Sequence, residues 1–513
     1  MSATLAASGE ERSGLFAHFS RDFTASIVVF LVAMPLCMGI AIASGVPPEK
    51  GLVTGIIGGI VVGAFAGSPL QVSGPAAGLA VIVFEFVREN GLEALGPVLL
   101  LAGVLQLVAG ALKLGGLFRA ISPAVVHGML AGIGALIVIG QFHILFDAKP
   151  LSSGIENMAM MPARVLGLDF SDVAATELAL ALGLLTIGIM IGWEKMRPKS
   201  MSLVPGALLG VVAATAIAWG MNLDVARIQV PQSIGAAFAL PTSMEWFAPL
   251  ASPALIVAAL AIAFIASAET LLSAAAVDRM HDGVRTKYDK ELSAQGVGNL
   301  LCGLVGALPM TGVIVRSSAN VQAGARTRLS TIMHGTWILG FVALLPWLLA
   351  EVPMAALGGV LVVTGWKLVS LKHVRHLFNA HGILPAAVWA VTFILVVTTD
   401  LLTGVLVGLA LTVVELLPHV RHLRLKVDEH DGEEENRLEL EGAATFLGLT
   451  RLNAALERQP AGRPVHLDLG KVKAMDHTTA ETLSEWIHRR RQSGHSDRVT
   501  GDASILRPLP VAT

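Results

Sequence analysis

Apolar runs of about 17 or more residues recur between Arg21 and Pro418. At ~1.5 Å per residue, each is long enough to cross a hydrocarbon core of roughly 30 Å. No soluble core needs so many. The run 250–277 holds a single charged side chain, Glu269. Inside a bilayer every backbone N–H and C=O must be satisfied by protein, so only helices and closed barrels can span it. Glycine is abundant, with 53 residues, and aromatics make up only 5%. That balance favours helices packed through small residues over a barrel with aromatic girdles. Charged residues reach only 14%, against about 25% in soluble domains. The chain therefore reads as an all-α polytopic membrane protein.

Fourteen apolar segments are expected, near 22–44, 51–67, 75–87, 95–112, 121–144, 175–193, 203–220, 250–277, 291–308, 314–324, 329–350, 354–369, 383–399 and 401–420. Two of them, 75–87 and 314–324, are too short to cross alone. With the N-terminus inside and alternation thereafter, nineteen Lys and Arg from Arg12 to Lys426 fall on inner segments. Only Lys50, Arg88, Lys149, Arg164 and Arg227 fall outside. This asymmetry follows the positive-inside rule and places both termini in the cytoplasm.

Net charge is −2, which gives no footprint for a nucleic-acid partner. Cys37 and Cys302 lie within apolar segments and make no disulfide framework. Residues 1–20 lack the pattern of a cleaved signal peptide, so the first span is expected to be retained. After Lys426 the composition changes. An acidic stretch, 428–435, reads as a solvated linker. Strand-like pieces at 437–440 and 465–469 and a helical pattern over 478–491 then predict a small α/β domain. The expected boundaries are a cytoplasmic N-terminal segment 1–20, a membrane domain 21–427, a linker 428–436 and the tail domain 437–513.

Gly51, Gly55, Gly59, Gly63 and Gly67 recur at every fourth residue and predict a bare ridge on the second span. Such a ridge serves either as a sliding surface or for tight packing. The short spans say more. One opens with Ser73-Gly74-Pro75-Ala76-Ala77-Gly78, where Pro75 suits a first helical position. The other follows Leu308-Pro309-Met310-Thr311-Gly312 and runs into Val313-Ile314-Val315-Arg316-Ser317-Ser318. Each is third in its group of seven spans. Paired short segments in corresponding halves point to an inverted-repeat transporter with its site at the midplane. Facing half-helix N-termini there form an anion site from exposed N–H groups and positive dipole ends.

Arg316 falls in the first turn of the second half-helix, where only an anion or a buried carboxylate compensates it. Snorkelling to an interface is the plainer alternative. Glu269, with Ser273 one turn later on the same face, lies deep in the eighth span. An ionisable group at such depth is a functional candidate. It suits a proton carrier, since burial favours the neutral acid, or a ligand for Na⁺. A static ion pair with Arg316 is the structural alternative. Asp400 is read as a solvated group at the outer mouth, and His127 and Gln141 as packing or hydrogen-bonding groups in the fifth span.

These residues resemble the SulP family of anion transporters, the relatives of sulfate permeases and prestin. The resemblance covers nearly the whole chain and is strongest from Glu269-Thr270-Leu271-Leu272-Ser273 through Glu291-Leu292-Ser293-Ala294-Gln295-Gly296, Asn299, Pro309 and Arg316-Ser317. Val72-Ser73-Gly74-Pro75 and the span 122–141 also match. It implies fourteen spans in two inverted repeats of seven, a moving core domain and a gate domain, a cytoplasmic STAS domain, and a homodimer in a bacterial inner membrane. It implies substrate between Pro75, Ala76 and Ala77 on one side and Val315, Arg316 and Ser317 on the other. Glu269 and Ser273 match the family's coupling-ion position. No enzyme activity, catalytic residue, resident metal or cofactor is implied beyond Na⁺ or H⁺ as coupling ion.

Val465-His466-Leu467-Asp468-Leu469 to Asp476-His477-Thr478 resembles a STAS strand and turn. His477 stands where soluble STAS proteins carry a phosphorylatable Ser, and the domain reads as shortened at its end. The expected activity is secondary active transport of a small anion: bicarbonate, sulfate or a dicarboxylate such as fumarate. The pattern Val32-Ala33-Met34-Pro35-Leu36 to Ala43-Ser44-Gly45 resembles the bicarbonate branch. The alternatives are an uncoupled exchanger or channel, a STAS-signalling membrane protein, and a nucleobase–cation symporter. The last places an acidic residue where Arg316 stands.

Overall fold

A computed structural model of the protein describes residues 18–501, apart from 119–121, 152, 169–173, 199–200, 202, 230–237, 239, 242, 279, 282, 370–374, 376–382, 417–424, 431–434, 446–447, 461–462, 476 and 493–496. The segment 1–17, the end of the last apolar run, Asp476 of the tail motif and 502–513 thus lie outside the described residues.

Each of the fourteen apolar segments coincides with a helix. They are α1 (Phe19–Ala43), α2 (Pro48–Phe65), α3 (Ala80–Asn90), α4 (Leu95–Ala111), α5 (Pro123–Leu145), α6 (Ala175–Met196) and α7 (Gly206–Gly220). The second seven are α8 (Pro253–Asp278), α9 (Tyr288–Leu304), α10 (Ile314–Gln322), α11 (Leu329–Leu344), α12 (Met354–Leu368), α13 (Ile383–Thr398) and α14 (Leu401–Leu416). Among the described residues, α1, α2, α5, α6 and α8 are long and apolar enough to cross a membrane by length and composition. Six more, α4, α7 and α11–α14, contain shorter apolar helices. An amphipathic helix at Gly154–Leu166 and a short helical stretch at Met244–Ala251 lie between these segments and were not expected from the sequence. Asp400 caps α14, its carboxylate accepting from the Thr403 amide at 2.8 Å and hydroxyl at 2.6 Å.

Two compact units divide the chain: 1–113, 141–150 and 162–363 in one, 114–140, 151–161 and 364–513 in the other. In the first, helices meet through missing side chains. A Cβ on Gly96, Gly103 or Gly110 of α4 would run into α9 around Gly303, Leu300 and Ser293. The glycine ridge of α2 likewise packs tightly. Gly51 and Gly55 abut Cys37 of α1, Gly59 and Gly63 abut Gly335 and Thr331 of α11, and Gly67 abuts Lys287 and Glu291. Within α2 the ridge turns from α1 to α11 where the helix widens to π-type turns over Ile57–Val62, which rotates its faces, and Gly67 beyond its end meets the start of α9. In this structure the ridge is a packing surface.

In the second unit, Gly404 and Gly408 of α14 lie against Val396 and Thr392 of α13, and Gly128 and Gly132 of α5 meet α13 as well. The tail carries a four-stranded sheet, β3 (Lys426–His430), β4 (Asn436–Ala444), β5 (Val465–Met475) and β6 (Arg498–Thr500), in that order; these are numbered after two short membrane-segment strands described below. β3 pairs antiparallel to β4, and the rest are parallel. Helices α15 (Leu449–Arg458) and α16 (His477–Gln492) join it. Leu438 and Leu440 alternate inward and meet Leu452, Leu467, Leu483 and Trp486 in a buried cluster.

Arg490 of α16 closes the tail's far edge. It bonds Asp497 at 2.7 Å, reaches the Pro460 and Arg463 carbonyls and stacks 5.1 Å over Trp486. The acidic stretch is thus only partly a linker, since 428–430 belong to β3. β3 is an edge strand whose side chains are almost all exposed, so no period-2 apolar signal marks it.

Close packing at glycine gives a paired prediction. A Cβ on Gly58 would sit 2.5 Å from the Ser73 carbonyl oxygen, whereas one on Gly188 would meet nothing within 4 Å. Gly58→Val is expected to destabilise by about 1–3 kcal/mol or more. Gly188→Ala should be neutral or stabilising by about 0.5–1 kcal/mol. Thermal unfolding of the purified protein in detergent measures both.

Candidate functional site

The two short predicted spans begin at a two-stranded crossing. β1 (Ser73–Pro75) pairs antiparallel with β2 (Met310–Gly312) in the register Ser73 to Gly312, Gly74 to Thr311 and Pro75 to Met310. β1 runs through a tight turn at Ala77–Leu79 into α3, and β2 runs directly into α10. Because the strands are antiparallel, the two helices leave the ladder in opposite directions. Their N-termini open on the same crossing. No side chain caps either start, at Ala76 or at Val313. The first N–H groups of α10 therefore remain available to a ligand, whereas in the first half-helix the Gly78 amide faces Glu269.

Pro75 does not open the helix. It ends a strand, where the absence of an N–H is tolerated. Ala76 donates to the Pro309 carbonyl at 3.3 Å, and Ala77 begins the helical turn. On the other side Val315 is exposed, while Arg316 and Ser317 are fully buried. The Ser317 hydroxyl is already committed: it accepts the Val72 amide at 2.9 Å and donates to the Val313 carbonyl at 2.7 Å. Its service is to lock β1 against α10.

Glycine is required at the crossing. A Cβ on Gly74 would collide with the Arg316 guanidinium, and one on Gly312 with the Gln71 amide. Neighbouring helices satisfy the strand ends. Asn299 accepts the Met310 amide at 2.8 Å and donates to its carbonyl at 3.1 Å. Thr270 accepts the Gly312 amide at 3.1 Å, and Thr54 the Leu308 amide at 2.9 Å. Asn299 is itself braced by Gln106 at 2.7 Å, which reaches Ser267 at 3.2 Å.

All three guanidinium nitrogens of Arg316 are buried without a hydrogen-bond partner. Cys37 and His334 are its electrostatic neighbours, and both His334 ring nitrogens are likewise unpartnered. Among the described residues no ion pair joins Arg316 to Glu269, so the static-pair alternative is not what the fold builds. A buried guanidinium in this state calls for a negative occupant or water.

Glu269 stands at the other half-helix. Its carboxyl fills the space a Cβ on Gly78 would take, 2.5 Å from Oε2. The Gly78 amide and the Thr311 hydroxyl face it. Glu269 Oε2, Ser273 Oγ and Thr311 Oγ1 are all buried oxygens without hydrogen-bond partners. Ser273 is buried and Glu269 half-buried on the same face of α8, with Gly78 and Thr311 beside the carboxyl.

Sequence reasoning assigned no role to Gln106, His334 or Cys37. Gln106 and His334 were visible as polar residues inside the apolar helices α4 and α11. Glu291, Gln295 and Asn299 recur every fourth residue, which marks one polar stripe along α9.

Apolar helices enclosing two broken ones, with helix starts and an unpaired cation at the break, define a membrane solute-transporter fold. The model of the sulfate permease family matches residues 19–392, and the chain belongs to this family of membrane anion transporters, which are not enzymes. It is 31% identical over 496 residues to the putative sulfate transporter YvdB of Bacillus subtilis, covering 93% of this chain and 90% of that one. It is 28% identical over 408 residues to the bicarbonate transporter BicA of Picosynechococcus, covering 77% of this chain and 69% of the relative. Among solved structures, the transmembrane domain of a cyanobacterium BicA superposes with a TM-score of 0.65 at 23% identity, over 78% of this chain and 98% of that one. SLC26A9 superposes at 0.68 and 16% identity, over 95% and 85%.

Loss of the Asn299 clamp should be visible directly. Asn299→Ala leaves a buried N–H and C=O of Met310 unpaired, at about 1–3 kcal/mol each. A lower melting temperature is expected, together with at least a severalfold drop in anion uptake per folded molecule. Asn299→Ala with wild-type values for both would exclude this role.

Proposed function

We propose that the protein is a secondary active transporter of a small inorganic or organic anion, of the class of bicarbonate, sulfate or a dicarboxylate such as fumarate. The observation that carries this reading is the pair of uncapped half-helix starts at one crossing, beside the unpartnered Arg316 guanidinium. Ala77 and the first turn of α10 would offer N–H groups to the anion, and Arg316 long-range positive potential from within the protein. Pro75 and Ala76 would shape the opposite wall, with Val315 at the entrance and Ser317 holding the wall in place.

Glu269, Ser273 and Thr311 supply oxygen atoms only, which suits a proton or Na⁺ and no soft metal. A bound cation would neutralise Glu269 when the anion arrives, making the two binding events mutually favourable. This is the basis for symport, in place of the exchanger or channel alternative. The nucleobase–cation alternative has no support from Arg316 or from the family. The fourteen helices are proposed as spans in two inverted repeats of seven. The antiparallel exit of α3 and α10 from one ladder supports that symmetry. Movement would be elevator-like, a core domain carrying the site past a gate domain. The tail is proposed as a cytoplasmic STAS domain of a homodimer in a bacterial inner membrane, with the N-terminus also inside.

The test is uptake of labelled bicarbonate, sulfate and fumarate into proteoliposomes under imposed Na⁺ or H⁺ gradients. One anion should accumulate with one gradient only, and Glu269→Gln should abolish accumulation, at least about tenfold, while the protein remains folded. Equal, gradient-independent equilibration in wild type and variant would sink the coupling role.

A further inference from the structure

Glu291 lies in the first turn of α9, fully buried, in a motif to which no role has been attached. Both carboxylate oxygens are occupied by N–H donors. Oε2 accepts the Ser68 amide at 2.8 Å, and Oε1 accepts Gln71 Nε2 at 3.1 Å and Gln295 Nε2 at 3.0 Å. Among the described residues no Lys, Arg or His forms an ion pair with it; the nearby Arg328 points its Nη1 at the Ala64 carbonyl, 2.7 Å away. Three convergent donors need an acceptor-only group with several lone pairs, which a carboxylate is and an amide is not. A charge buried this deeply is retained only where the donors compensate it.

The donors are not scattered. Ser68 and Gln71 belong to the segment that leads from α2 into β1. Gln295 continues the chain of contacts, its Nε2 lying 2.6 Å from the hydroxyl of Ser73, the first residue of β1. The same segment is held from the other side by α10: Asn320 donates to the Leu70 carbonyl at 2.9 Å, and Ser317 takes the Val72 amide. Gly67 lets this segment press onto the start of α9, where Lys287 donates to the Gly67 carbonyl at 3.1 Å. Six residues of chain are thus suspended between a carboxylate on α9 and two polar side chains on α10. Their far end is the strand that sets where Pro75, Ala76 and Ala77 lie.

We infer that Glu291 is a positioning residue of the anion site: an ionised acceptor hub that fixes β1, and with it the start of the first half-helix, opposite the first turn of α10. It touches neither anion nor coupling ion. The inference rests on the anion site proposed above. In Glu291→Gln the amide NH₂ would oppose the converging donors, and the segment would shift. A displacement below 1 Å at a binding wall is enough to weaken a ligand by about tenfold.

The experiment compares wild type, Glu291→Gln, Glu291→Asp and the exchange Glu291→Gln/Gln295→Glu, as full-length protein. The exchange returns a carboxylate one turn along the same face of α9, within reach of Ser73. KM and maximal rate are measured for whichever of bicarbonate, sulfate or fumarate the wild type accumulates, alongside the melting temperature. Glu291→Gln should raise KM about tenfold, more than it lowers the maximal rate per folded molecule, and the exchange should recover KM to within about threefold. A lower melting temperature with KM unchanged would mean that Glu291 only supports the scaffold, and the inference falls.

If Glu291→Gln does not fold, Glu291→Asp and the exchange carry the same comparison. Hydrogen–deuterium exchange of 68–76 decides the matter even if the wild type shows no saturable uptake, an outcome that would remove the transport reading instead. Those amides should exchange at least about tenfold faster in the single variants and regain protection in the double. Unchanged protection in Glu291→Gln overturns the inference.

Discussion

Everything at the centre of this protein follows from breaking two helices where no water is at hand. A broken helix frees N–H and C=O groups that hydrocarbon cannot satisfy. Here they are satisfied by pairing the two breaks with each other, Ser73–Pro75 against Met310–Gly312. Three residues per strand are too few to stand alone. Asn299, Thr270, Thr54 and Ser317 therefore complete the ladder from four surrounding helices. The glycines at 74 and 312 are the steric counterpart, leaving room for Arg316 and Gln71. Left over are the two uncapped helix starts, which the proposed function assigns to the anion.

Charge is distributed around the crossing with the same economy. Glu269 stands against the start of the first half-helix, in the space kept open by Gly78. Arg316 stands in the first turn of the second, its guanidinium turned inward beneath Gly74. A carboxylate in front of a positive helix end is stabilised by it, and a guanidinium there is not. The arrangement is thus asymmetric despite the similar backbones. One half-helix already has its negative partner, and the other lacks one. In the proposed cycle, a cation at Glu269 would release the first helix end to join the second in holding an anion.

Much of this was legible in the sequence because a bilayer limits the choices. The apolar runs predicted the helices, and the two short runs with their Pro and Gly residues predicted the break. Glu269 and Arg316 were conspicuous for their setting. What was hidden depends on contacts between distant parts of the chain. Pro75 was read as a helix start because local rules favour it there; its place in a strand is decided by Met310. The glycine ridge looked like one continuous surface because a regular helix was assumed, and the π-type turns at Ile57–Val62 divide it. The edge strand β3 escaped because its exposed acidic residues imitate a linker. Arg490, which ties α16 to Asp497 and two carbonyls, lies within the predicted helical pattern over 478–491, but its partners lie outside that helix and give no local signal.

The pairing of the two breaks also bears on how the chain is made. Val72 is bonded to Ser317, 245 positions later, and Asp22 at the start of α1 holds the Arg326 amide across 304. At about 5–20 residues per second of synthesis, the first strand waits on the order of tens of seconds for its partner. During that interval its open edge belongs to a half-built protein already at the membrane. The pairing of Ser73–Pro75 with Met310–Gly312 can therefore close only after the second half-helix has been made.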